Sequence, residues 1–232
     1  MNQKKIVVLA FSGGLDTSYC VPYLKEEHGY DVVTVTVDTG GFPPEEIAAI
    51  EARAAELGVL EHRTIDARQE VYDRYASYLI KGNVLRGGVY PLSVSAERLV
   101  QAEIVAECAR EMGAAAIAHG STGAGNDQVR FDIAFQVLVP GIQVLAPIRE
   151  LKLSRQEEYE YLQQRGVEID PSVKEYSINA GLWTLLIRRR AAFWGALSPT
   201  VIIFLITWRW ASPSSRESSS SPTTSPVVSI FS

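Results

Sequence analysis

A serine-glycine-glycine turn between an apolar run and a helix is a place where a chain can hold a phosphate. Here residues 5–11 (KIVVLAF) lead into Phe11-Ser12-Gly13-Gly14-Leu15-Asp16-Thr17-Ser18. Anion binding needs backbone N–H groups that the anion can reach, and paired glycines remove the Cβ atoms that would hold it away. A helix starting directly afterwards adds its first amides and the positive end of its dipole. Ser12, Thr17 and Ser18 add hydroxyl donors. No Gly-Lys-Ser/Thr ending follows, so the turn is not a Walker A loop, and no G-x-G-x-x-G marks a dinucleotide site. A lone SGG reads as an ordinary helix cap; SGGLDTS behind a buried strand is far more specific.

A second stretch, Ala118-His119-Gly120-Ser121-Thr122-Gly123-Ala124-Gly125-Asn126-Asp127-Gln128-Val129-Arg130-Phe131, mixes flexibility with charge. Its glycines permit tight backbone shapes. Asn126, Asp127 and Arg130 place an amide, a carboxylate and a guanidinium within about one turn, a set able to bind both ends of an amino acid, since arginine pairs bidentately with carboxylates. A third stretch, Gly88 to Arg98, contains Tyr90 and Ser95; taken alone, Ser95 reads as an N-cap and Tyr90 as a core or turn tyrosine. Asp38, at the end of an apparent strand, reads either as a ligand contact or as a turn aspartate. His119 reads as structural rather than as a general base. No Ser–His–Asp set or metal-ligand spacing is visible, so no catalytic side chain is assigned. Cys20 and Cys108 give no disulfide framework and read as buried free thiols of a reducing cytosol.

These residues need a scaffold. Continuous apolar or β-branched runs at 5–11, 31–37, 59–65, 114–119 and 143–147 read as strands. Helices are expected near 16–28, 43–57, 66–80, 95–112 and 131–139. A capping box, Ser154-Arg-Gln-Glu157, opens a helix reaching Gln164. Strands alternating with helices predict an α/β fold with a doubly wound, mostly parallel sheet. The chain has 232 residues, 47% of them hydrophobic, enough for a sizeable core. Its net charge of −5 argues against a nucleic-acid groove. The N-terminus reads as a first strand and not as a signal peptide.

In order and spacing, SGGLDTS, GxYPLxxSxxR and HGxTGxGNDQVRF resemble argininosuccinate synthase, a family within the N-type ATP pyrophosphatases, and the match runs to Tyr176-Ser-Ile-Asn-Ala-Gly-Leu-Trp183. The resemblance implies an adenine nucleotide alpha hydrolase-like domain over 1–166 and the start of a truncated second domain over 167–183. It implies ATP-dependent joining of citrulline and aspartate, with Mg²⁺ on the nucleotide, in the cytoplasm. Carried over by position, Ala10, Phe11, Ser12, Gly13, Gly14, Leu15, Asp16, Thr17, Ser18, Val37 and Gly120 resemble ATP contacts. Tyr90, Ser95, Asn126, Arg130 and Ser177 resemble citrulline contacts, and Thr122, Asn126 and Asp127 aspartate contacts. The family is homotetrameric through its second domain, which leaves the assembly of this chain open. Two departures stand out: YPLSVSAERL replaces the common YPLGTSLARP, and Ala124 stands where a lysine is common.

Beyond Trp183 the text no longer resembles the family. Glu217 is the single acid after Glu175, against Arg188, Arg189, Arg190, Arg209 and Arg216. Val201–Trp208 is apolar but far short of the roughly 20 residues that cross a bilayer. Residues 212–232 hold ten serines and three prolines, a composition that reads as disordered. Segment 184–232 has the composition expected of a shifted reading frame, with a genuine divergent tail as the alternative. Functionally the rivals are a non-catalytic ATP-binding fragment and another adenylating enzyme with the same loop.

Overall fold

The computed structural model describes residues 5–86, 90–167, 176–180 and 185–189. Five strands form one parallel sheet: β1 (Ile6–Ala10), β2 (Asp31–Asp38), β3 (Glu61–Asp66), β6 (Ala116–His119) and β7 (Gln143–Leu145), in the order β3-β2-β1-β6-β7. β1 sits in the centre because its side chains are apolar on both faces. Val7 and Leu9 enter one core layer and Val8 enters the other. All three are fully buried, each contributing about 1.5–3 kcal/mol.

The first layer is built by α1 (Leu15–Glu26), α2 (Pro44–Glu56), α7 (Pro147–Leu151) and α8 (Arg155–Gln163), through Leu15, Cys20, Leu24, Ile50, Ile148 and Leu162. The second is built by α5 (Ser93–Glu111) and α6 (Asp127–Leu138), through Val100, Val105, Phe131 and Phe135. The connection leaving β1 thus packs on one face and the connection leaving β6 on the other. That divergence makes the C-terminal ends of β1 and β6 the topological switch point, the place where open α/β sheets bind ligands. The fold is the doubly wound parallel sheet expected from the sequence.

Between β3 and β6 the chain runs through α3 (Arg68–Val71), a π-helical turn (Tyr72–Ala76) and α4 (Ser77–Lys81), then the antiparallel pair β4 (Leu85–Arg86) and β5 (Tyr90–Pro91). A second antiparallel pair, β8 (Tyr176–Ala180) with β9 (Leu185–Arg189), follows the sheet domain. The expected capping box forms at the start of α8: Glu157 N–H donates to Ser154 Oγ at 3.3 Å, and the Glu157 carboxylate accepts from Ser154 N–H at 2.7 Å. Cys20 and Cys108 are both buried thiols, as expected.

Two expectations change. α6 starts at Asp127 instead of Phe131, so Asp127 and Arg130 lie on its first turn and not in the preceding loop. β7 ends at Leu145, and Pro147, expected to close the strand, opens α7 instead. β9 lies just beyond Trp183. The remainder of 167–183 and of the tail, including Val201–Trp208 and the serine-rich end, lies outside the described residues.

Candidate functional site

In the β1–α1 turn the two glycines do different work. Gly13 has φ +68°, and a Cβ there would lie 2.9 Å from Ile50 Cγ1. Only glycine suits that backbone at that distance from α2. Gly14 is the N-cap of α1 in extended conformation, φ −74° and ψ 173°, and a Cβ there would meet nothing closer than Ser12 Oγ at 3.5 Å. Its service is to offer no side chain at the helix mouth, where the first amides of α1 have no side-chain cap. Inner hydrogen bonds shape the turn: Thr17 Oγ1 donates to Gly14 O at 3.3 Å and lies 3.3 Å from Ser12 Oγ. Ser18 is fully buried and its hydroxyl donates to Gly13 O at 3.4 Å.

The expected ATP set therefore divides. Phe11, Leu15 and Val37 are core residues, and Ser18 braces the turn from inside. Ser12 is exposed, and Gly13, Gly14 and Asp16 are half-buried, so these form the open mouth. Asp16 faces Arg155 of α8 across 3.5 Å. Asp38 is a turn former: it is 4% exposed, and its carboxylate accepts Gly40 N–H at 2.7 Å.

The β6–α6 loop meets this turn directly. Ala10 is in register with His119, so the two loops leave the sheet side by side. A Cβ on Gly120 would lie 2.9 Å from Thr17 Cγ2 and 3.2 Å from Thr17 N, which makes Gly120 the contact point between the loops. Thr122 and Asn126 are exposed on the loop. Asp127 and Arg130 join Ser95 of α5 in one cluster. Arg130 ion-pairs with Asp127 and donates to Ser95 Oγ at 2.9 Å, while Arg98 donates to Asp127 Oδ2 at 3.3 Å. Two guanidiniums, the side-chain type that pairs with carboxylate ligands, thus flank one half-buried carboxylate. Arg98 continues to Gln101 at 3.0 Å, which reaches Thr39 at 3.5 Å.

Sequence reading did not single out Arg98, Gln101 or Thr39. The spacing Ser95–Arg98–Gln101, three residues apart on one helix, is the signal that would have placed the first two with Ser95. Tyr90 lies in β5 opposite Arg86, and Ser177 in β8 opposite Arg188; only their backbones are described.

His119 is 1% exposed, with its ring stacked on Phe131 at 5.6 Å. Its Nδ1 accepts Ser121 N–H at 3.2 Å, so its proton is on Nε2, 3.0 Å from Asp132 Oδ1. Burial pushes its pKa below the ordinary value, and the Asp132 hydrogen bond only partly offsets this. Burial pushes the Asp132 carboxyl up, but hydrogen bonds from Arg149 and His119 outweigh it and hold the group below its usual range. A neutral, enclosed His119 matches the expected structural role. Among the described residues, no group of three or more His, Cys, Asp or Glu could hold a metal ion, and no helix is long and apolar enough to cross a membrane.

Fold and site together define a Rossmann-like α/β domain whose β1–α1 turn and β6–α6 loop meet at the sheet's switch point. A family model for the arginosuccinate synthase N-terminal HUP domain matches residues 6–168. Curated argininosuccinate synthases are similar: that of Methanocaldococcus jannaschii is 48% identical over 180 residues, covering 78% of this chain and 45% of the relative. That of Sulfolobus acidocaldarius is 45% identical, covering 76% and 45%, and that of Xylella fastidiosa is 46% identical, covering 77% and 45%. The chain belongs to the argininosuccinate synthase family and spans about 45% of the length of these relatives.

Proposed function

We propose that this domain binds ATP with its pyrophosphate end in the Ser12–Thr17 turn and uses it to join citrulline to aspartate. The observation that carries the reading is the meeting of Gly120 with Thr17, which sets the anion-binding turn against the charged loop. In the first step the ureido oxygen of citrulline attacks the α-phosphorus, the bond to the β-phosphate breaks, and pyrophosphate leaves. In the second the aspartate amine attacks the activated ureido carbon, loses a proton, and displaces AMP to give argininosuccinate. Such transfers depend on positioning and charge neutralisation, so no protein nucleophile is invoked.

Arg130 and Ser95, with Asn126, Tyr90 and Ser177, would receive citrulline; Thr122, Asn126 and Asp127 would receive aspartate. The Arg98–Asp127–Arg130 cluster supports this, because its guanidiniums fit a substrate carboxylate while Asp127 fits an ammonium. Mg²⁺ carried on the phosphates would supply charge neutralisation there, and the open mouth, with one carboxylate at Asp16, fits a phosphate-borne ion better than a protein cage. The buried free thiols favour a cytoplasmic site.

Citrulline-dependent exchange of labelled pyrophosphate into ATP tests the first step, and argininosuccinate formation tests the second. tRNA-dependent release of AMP without citrulline would replace this reading with another adenylating enzyme. The specific alternative is a domain that binds ATP without forming product. ATP binding by equilibrium dialysis, with no exchange at saturating citrulline, would select it. A tetramer is tested by sedimentation.

A further inference from the structure

Four side chains outside the expected site, His119, Asp132, Arg149 and Gln128, hold the Gly120–Asn126 loop from behind. Starting at the loop's first amide, Ser121 N–H donates to His119 Nδ1 at 3.2 Å, and His119 Nε2–H donates to Asp132 Oδ1 at 3.0 Å. The other oxygen of Asp132 accepts from Arg149, delivered from α7 on the opposite core layer. The same Arg149 nitrogen donates to Gln128 Oε1 at 3.3 Å. Gln128 then returns to the loop, its Nε2 donating to Gly123 O at 2.8 Å and Gly125 O at 3.2 Å. Every donor in the circuit meets an acceptor, and one protonation pattern satisfies all of it. Gln128 and Asp132 lie four residues apart on one face of α6, so a single arginine reaches both.

The circuit grips the loop at both ends, and Gly120 then seats against Thr17 of the phosphate-binding turn. The glycines that let this loop bend also leave its backbone free, and ordering it at the moment of binding would cost affinity. We infer that Gln128, Asp132 and Arg149 are positioning residues that hold the 121–125 backbone in its ligand-ready shape before nucleotide arrives. This rests on the ATP reading above for its ligand.

The test uses the full chain and two readouts: backbone amide exchange across 121–125, and ATP affinity by equilibrium dialysis. Gln128→Glu is the sharpest variant, because it keeps size and the Arg149 contact but turns a donor toward two carbonyls into an acceptor. Gln128→Ala and Arg149→Met break the circuit elsewhere, and Arg149→Lys retains one charge-assisted bond. Expected are about tenfold faster exchange at Ser121–Gly125 and about tenfold weaker ATP binding, the scale of one such hydrogen bond. Exchange in α1 and the urea midpoint stay unchanged, and Arg149→Lys recovers part of the affinity. Faster exchange with wild-type affinity overturns the positioning role, as does weaker affinity with unchanged exchange. A wild-type chain that binds no ATP sinks the nucleotide reading and the ligand half of this inference, while the exchange rates still decide whether the circuit holds the loop.

Discussion

The two loops at the sheet's switch point are held by opposite means. The β1–α1 turn is fixed by backbone: a left-handed glycine wedged against Ile50, a helix start, and local bonds from the Thr17 and Ser18 hydroxyls to carbonyls within the turn. The β6–α6 loop is fixed by side chains, an ionic circuit through His119, Asp132, Arg149 and Gln128, with partners up to 21 residues apart. The first arrangement is insensitive to charge and intolerant of volume. The second is the reverse, because ion pairs depend on protonation and salt while an open glycine loop has room.

The largest effect that sharpens this contrast is expected at Gly13. Gly13→Val forces a β-branched residue into φ +68° and drives its side chain into Ile50. Left-handed strain and overpacking together predict a loss of about 2–4 kcal/mol in urea unfolding. Gly14→Ala, by contrast, changes stability by less than about 0.5 kcal/mol, yet lowers ATP affinity by crowding the helix mouth. Equal destabilisation by the two changes would break the distinction drawn between them. Gly120→Ala comes next. Its methyl group would lie 2.9 Å from Thr17 Cγ2 and 3.3 Å from the Asp16 carbonyl carbon, so the loops must separate. A loss of about 1–3 kcal/mol is expected, together with ATP affinity down by more than tenfold. Wild-type affinity in that variant would show that the seam between the loops does not serve the nucleotide.

A smaller effect is expected at Arg130. It is a quarter exposed, so solvent screening keeps its ion pair with Asp127 to about 1 kcal/mol of stability. Arg130→Met should leave the urea midpoint near that of the wild type and ATP binding intact, while citrulline-dependent exchange disappears. If ATP binding falls in parallel, Arg130 belongs to the nucleotide site instead.

The two loops also differed in how far the sequence revealed them. SGGLDTS could be read in advance because its chemistry is local: strand, glycine turn and helix start are neighbours in the chain. Its inner division was not legible, since Leu15 and Ser18 look available in sequence and are buried in the fold. The second loop gave up its glycines and its charges but not its limits. The polar run Gly125-Asn-Asp-Gln looks like loop, whereas a helix N-terminus welcomes an acid such as Asp127 in its first turn. Arg149 stayed hidden because the short helix carrying it follows Pro147, which reads equally well as a strand stop. Partners brought together from α5, α6 and α7 follow from sheet order, and no local pattern encodes that order.

The smallest expected effect separates the loops by pH. The folded pKa of His119 lies below the ordinary value because burial disfavours the imidazolium, and Asp132 only partly compensates. Between the folded pKa and the unfolded value of 6.5, the unfolded chain binds the extra proton. Stability is therefore complete above 6.5 and falls as the pH drops below it, by at most about 1.4 kcal/mol per pH unit for one proton. His62 has the same sign of shift, also from burial, so both contribute to the slope. Asp132 adds a separate loss under strongly acidic conditions, below its unfolded value of 3.8, because its folded pKa is depressed. The groups acting on His119 are Asp132 of α6 with Arg149 and Glu150 of α7. His119→Gln should therefore flatten part of the slope in urea midpoint between pH 6.5 and 5 and leave the His62 share. Amide exchange at Ser121 should rise in the wild type once the pH falls through the folded pKa of His119, since a protonated Nδ1 can no longer accept its N–H, while Ser18, bonded only to backbone in the β1–α1 turn, should hold its rate after correction for intrinsic pH dependence. Parallel changes at Ser121 and Ser18 would mean that protonation loosens the sheet end as a whole, and that the two loops are not held by independent means.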